Sequence, residues 1–315
     1  QLSLCFSILG LLISAFAQTS SVLAIGRFVI GISSGLITTA ALIGLLAVIP
    51  RSHQESASQL SSIVTVIGFS LGPVTGGIFG QFALLPLFTP YIVLAVVACL
   101  SLLSLLSIRQ TEFQKQRFSV APRLELPQQQ YHFQFFIVGM TAFGAFACFS
   151  LYASLASSFI GDVLPWHGPL VSGATISIIL FISAFAQFLT KKWHAHRTLK
   201  YGLSALFISQ LLLLLCMSLE LSSLFFISTL VLGVGHGMGL LGAIGFVNEM
   251  TTVHNRAAVV STYLFIGYLG TIIPIIAVGY GADYFGLLNA VVAFAVVMMV
   301  MYGLLSVYQH RIQQN

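Results

Sequence analysis

The sequence predicts an all-α integral membrane protein, a bundle of transmembrane helices, and three observations carry that reading. Of 315 residues, 58% are apolar and 6% charged, where a soluble domain carries about 25% charged residues. Apolar runs such as Val22 to Ile49, in which Arg27 is the one charge, are far longer than the roughly ten alternating residues of a barrel strand. Lys and Arg gather at alternate junctions between the runs, the pattern left when basic loops stay cytoplasmic. With a mean hydropathy of +1.02, lipid is the solvent for most of the chain.

Each run must satisfy its backbone hydrogen bonds internally, which makes it a helix. Ten spans are read in order: 2–17, 22–49, 60–85, 88–108, 133–160, 169–190, 201–219, 223–247, 257–281 and 287–308. Arg51 follows the second, and Arg109, Lys115, Arg117 and Arg123 follow the fourth. Lys191, Lys192, Arg197 and Lys200 follow the sixth, Arg256 the eighth and Arg311 the tenth. The intervening junctions hold no Lys or Arg but carry Asp162, Glu220 and Asp283. The basic ends therefore face the cytoplasm, and so does the C-terminus. The net charge of +5 records this orientation and calls for no nucleic-acid partner.

Residues 109–132 hold Pro122, Pro127 and six glutamines among their charges, a composition that builds no packed core. They are read as a cytoplasmic linker between an N-terminal half, 1–108, and a C-terminal half, 133–315. Cys5, Cys99, Cys148 and Cys216 all lie inside apolar runs without metal-ligand spacing, so no disulfide framework, metal or cofactor is expected.

The halves resemble one another. His53, Ala57, Pro73 and Gly80 recur as His254, Ala258, Pro274 and Gly281, each 201 positions later, and Gly31 and Gly35 recur as Gly233 and Gly237 at 202. Proline- or glycine-interrupted spans at matching places in two halves point to a transporter. Shifting the start of the second half back by the same offset lands before Gln1, by the length of two helices. The expected whole is six plus six, of which this chain carries ten, lacking the first two.

Four places carry candidate chemistry. The third span contains Gly68, Gly72, Pro73, Gly76 and Gly77; the proline kinks a helix and the glycines admit a close neighbour. Arg27 lies inside the second span, where it either snorkels to the outer interface or faces a polar cavity. His236, within Gly233–Gly239 in the middle of the eighth span, is the one ionisable group placed near the midplane. It is a functional candidate by that position and by titrating near neutral pH; a neutral histidine bonded to a neighbouring helix is the competing reading. Tyr152, Gln187 and Tyr268 either line the same cavity or pack in the core. Glu249 and Arg256, with Lys191 and Arg197 of the basic loop, sit at the inner mouth as an ionic gate or as a solvated surface pair.

Two further matches are declined. Gly31-Ile-Ser-Ser-Gly35 fits a hydrolase elbow but lies mid-helix instead of at a strand-to-helix turn. Gly237-Met-Gly-Leu-Leu-Gly242 fits a dinucleotide fingerprint without its βαβ unit.

The string from Gly68 to Gly77 resembles the fifth-helix antiporter motif of the major facilitator superfamily, in its drug/proton antiporter branch; Gln59 stands where that pattern has one more glycine. Arg27-Phe-Val-Ile-Gly31, continuing to Gly35, is similar to the superfamily's fourth-helix motif, with Ile30 in place of the usual glutamine. The resemblance implies helices three to twelve of a two-half bundle. It also implies Arg27 as a cavity-facing charge near a proton site. The expected activity is alternating-access secondary transport and not enzymatic: proton-coupled efflux of small amphipathic compounds by a monomer in the plasma (inner) membrane. Alternatives are an uptake permease for a metabolite or sugar and, from another class, an intramembrane hydrolase built on Ser34 and His236.

Overall fold

The computed structural model describes residues 1–48, 54–107, 124–163, 168–252 and 254–312, and among these there is no β-strand. The helices are α1 (Leu2–Ala15), α2 (Ser20–Val48), α3 (Gln54–Phe82), α4 (Thr89–Ser107), α5 (His132–Val163), α6 (Pro169–Thr190), α7 (Ala195–Leu219), α8 (Ser222–Glu249), α9 (Arg256–Phe285) and α10 (Leu287–Ile312), with a 3-10 turn, Gln129–Tyr131, before α5. They match the ten expected spans in order. Eight are each long and apolar enough to cross a membrane, and α1 is apolar but shorter. Most of the expected linker, residues 108–123, and the junction with Arg51 and His53 lie outside the described residues.

Helix ends differ from hydrophobic ends for a physical reason. Propagating an existing helix by one residue is easy, so α7 begins at Ala195 and carries Arg197 and Lys200 in helical form ahead of the apolar stretch. The opposite happens after Phe82, where α3 stops although Leu84 and Leu85 continue the apolar run. Pro86 disfavours helical backbone in the residue before it.

The chain forms two units. The first comprises residues 1–68 and 75–119, the second residues 69–74 and 120–315. In the first, α1 packs on α2 and α4. The α1–α2 approach is close because a Cβ at Gly10 would stand 2.8 Å from Ile30 and one at Gly26 3.0 Å from the Ser14 backbone. Ser33 of α2 donates to the Ser3 carbonyl at 2.7 Å and accepts from Ser7. Against α1 the packing glycine of α2 is thus Gly26; at Gly31 and Gly35 a Cβ would meet nothing within 4 Å among the described residues.

In the second unit α5 and α8 are the central helices. α8 packs on α5, α6 and α7, and α5 also on α9 and α10. Spacing along α8 sorts its glycines onto two faces. A Cβ at Gly233 would stand 2.8 Å from Ile182 and one at Gly237 2.9 Å from the Ser183 Cα, both on α6. On the α7 side, Gly235 meets the Leu206 backbone and Gly242 that of Leu199, each at 2.7 Å. α8 remains one continuous helix. Its glycines bring neighbours to backbone distance, which strengthens van der Waals contact where lipid supplies no hydrophobic drive.

Candidate functional site

The site is centred on His236, which is 6% exposed near the middle of α8. The thin wall left by Gly233 and Gly237 brings α6 close enough for Ser183 Oγ to lie 2.9 Å from His236 Nδ1. Gln187, one turn further along α6, donates from Nε2 to Ser183 Oγ at 3.4 Å. The Ser183 hydroxyl, with one proton and two lone pairs, can accept from Gln187 and still either donate to Nδ1 or accept from it, so it serves both ring tautomers. The second ring nitrogen, Nε2, is buried without a hydrogen-bond partner among the described residues. α5 covers the ring with two aromatics, Phe146 edge-on at 5.9 Å and Phe149 tilted at 5.7 Å. Phe146 in turn meets the Tyr268 ring of α9 at 5.7 Å.

His236, Gln187 and Tyr268 are therefore drawn into one neighbourhood, linked through Ser183 and Phe146. Tyr152 lies one turn beyond Phe149 on α5, and its hydroxyl goes elsewhere. Ser228 Oγ donates to the Ser209 carbonyl at 2.8 Å and accepts from Tyr152 at 3.4 Å, while the Tyr152 ring meets Phe225 at 5.6 Å. The acidic residues of the second unit, Glu125, Asp162, Glu220, Glu249 and Asp283, all stand at or near helix ends. Among the described residues no three His, Cys, Asp or Glu side chains come together to hold a metal ion.

Arg27 is exposed and pinned to α4: its Nη2 donates to the Tyr91 hydroxyl at 2.7 Å, and the guanidinium lies 5.3 Å from the Tyr91 ring centre. Along α3, a Cβ at Gly68, Gly72 or Gly76 would meet nothing within 4 Å, and Gly77 is buried. The helix runs through Pro73, but the next amide, Val74, donates to Ser177 Oγ of α6 at 3.0 Å. Pro73 has a counterpart in Pro274, buried inside α9. One turn earlier, a Cβ at Gly270 would stand 2.8 Å from the Phe143 Cα, and Ser150 Oγ of α5 donates to the Thr271 carbonyl at 2.8 Å.

At the rim, Arg256 Nε donates to Asn248 Oδ1 at 3.0 Å, and Glu249 is exposed beside it. Lys191 Nζ lies 4.4 Å from the Phe188 ring centre. The Arg197 guanidinium lies 4.3 Å from the Trp193 ring and 5.8 Å from that of Tyr201. A contact with no sequence signal ties the linker down: the Glu125 amide donates to Thr262 Oγ1 at 2.9 Å, which donates back to the Glu125 carbonyl at 2.7 Å. Ser183, Ser177 and Thr262 were equally invisible in sequence, because serine and threonine are scattered through every span.

A family model described as Major Facilitator Superfamily matches residues 2–274. Among solved structures the chain is similar to a bacterial homologue of the human lysosomal transporter Spinster. In its inward-facing, occupied conformation the TM-score is 0.70 at 15% identity, covering 98% of this chain and 81% of that one. In the inward-facing, unoccupied conformation the TM-score is 0.65 at 15% identity, covering 97% and 81%. No curated protein matches the sequence.

Proposed function

The chain belongs to the Major Facilitator Superfamily, and from that premise we propose that it couples efflux of small amphipathic compounds to proton movement. Membership makes it a multi-pass secondary transporter and not an enzyme. The observation that carries the finer reading is His236, an ionisable ring in the middle of α8 whose buried Nε2 has no partner among the described residues. Leaving a buried polar group unsatisfied costs about 1–3 kcal/mol. A substrate oxygen, a water or a proton exchange partner would remove that cost. Phe146, Phe149 and Tyr268 present apolar faces around the same ring, which supports an amphipathic substrate.

In the proposed cycle, residues 1–108 and 133–315 are the two halves that rock about a midplane site. Arg27, held by Tyr91, sets the field near the proton path, with Tyr152 as a further hydroxyl on the route. The α3 glycines with Pro73, and Pro274 in α9, are the places where helices bend. Glu249 and Arg256 pair in the alternate state to close the mouth, with Lys191 and Arg197 as its basic surround. The protein works as a monomer in the plasma (inner) membrane, with linker and C-terminus cytoplasmic.

The test is transport by the protein reconstituted in liposomes under an imposed pH gradient. Movement of a fluorescent amphipathic cation against its gradient, abolished by a protonophore, is the expected result. Accumulation of a sugar with no movement of the cation would assign an uptake permease instead.

A further inference from the structure

We propose that the turn joining α6 to α7 binds the headgroup of an anionic phospholipid. Lys191, Lys192, Arg197 and Lys200 are all exposed there. Along the chain no acid lies between Asp162 and Glu220. Glu249 stands at the end of α8, whose Gly245 packs against Ala195 at the start of α7; that one carboxylate is outnumbered by four cations. Clusters of at least four basic residues at a helix end beside the bilayer attract anionic lipids.

Geometry makes this more than a charge count. The Arg197 guanidinium lies over Trp193 and near Tyr201, whose rings meet edge to face at 5.8 Å. A cation–π contact engages the charge of a guanidinium without consuming its five N–H donors, which suit a phosphate. The Lys191 ammonium lies over the Phe188 ring. Exposed Trp and Tyr mark the headgroup level of a membrane. Directly along α6 from the turn, Leu189, Phe188, Phe185 and Phe181 are exposed, an apolar track for acyl chains. A free phosphate would use the cations but not that track, so the two features together select a lipid. The inference rests on the membrane-spanning fold and is independent of the proposed transport cycle.

Trp193 supplies the readout. The chain has two tryptophans, so Trp166→Phe leaves Trp193 as the single fluorophore in the reconstituted protein. It is titrated with brominated phosphatidylglycerol or brominated phosphatidylcholine in phosphatidylcholine liposomes. The expected result is an apparent preference of roughly fivefold for the anionic quencher. Replacing Lys191, Lys192 and Lys200 by Gln, which keeps Arg197 on Trp193, is expected to abolish it. Millimolar inorganic phosphate is expected to leave the preference intact. Equal quenching by the two lipids, or a preference that survives the triple substitution, overturns the proposal. Loss of the preference on adding inorganic phosphate also overturns it, by assigning the turn to a soluble anion.

Discussion

His236 was legible in the sequence because an ionisable side chain deep in an apolar run is costly enough to demand a reason. Its partner was not: Ser183 is one serine among many, and only the approach of α6 to α8 sets it 2.9 Å from the ring. If proton exchange at this ring drives transport, His236→Gln flattens the pH profile. The ratio of initial rates between about pH 5 and pH 8, the range in which histidine titrates, falls towards one. Ser183→Ala keeps a titrating ring but removes its anchor, so a pH dependence persists with a shifted midpoint. Both are read from transport in liposomes; an unchanged profile in His236→Gln reduces the residue to packing. Tyr152 shows the limit of sequence reading at this scale. The sequence left it between lining the same cavity and packing in the core; its hydroxyl pairs with Ser228, because the direction of a phenol is chosen by which helix lies against it.

At the scale of the element, glycine has two opposite meanings that the sequence does not separate. In α8, Gly237 stands where a Cβ would reach 2.9 Å from the Ser183 Cα, so Gly237→Leu must force α6 away and costs about 1–3 kcal/mol. In α9, a Cβ at Gly279 would meet nothing within 4 Å, so Gly279→Ala gains roughly 0.5–1 kcal/mol from the better helix former. Thermal unfolding in detergent should lower the Tm of the first and raise that of the second. The linker end makes a further prediction. Thr262 grips both backbone groups of Glu125, and Thr262→Val removes the grip without changing shape. Amide exchange at residue 125 should then accelerate at least tenfold, while α9 below it stays protected; unchanged exchange would show that Glu125 is held by something else. Proline was the more readable breaker. Pro86 stopped α3 early, and Pro73 left the neighbouring amide of Val74 for Ser177.

At the scale of the whole molecule the membrane orientation is the quantity to test. In a cysteine-free background, Lys192→Cys should react with a membrane-impermeant maleimide only from the cytoplasmic side, and Glu220→Cys only from the other. The reverse pattern would invert the assignment of every junction. The scarcity of charge, the length of the apolar runs and the alternation of basic junctions determined the helical bundle and the number and order of its spans. They could do so because lipid is a solvent that forbids unsatisfied backbone and sorts charge along the chain, and both constraints are written residue by residue. Tertiary structure alone decided which glycines are interfaces, which hydroxyl faces His236, and that Lys191 and Arg197 lie on aromatic rings. Those outcomes depend on the rotation and separation of helices far apart in sequence, set by close packing between faces that are apolar all round. An apolar span marks that it is buried in lipid or protein, but not against what.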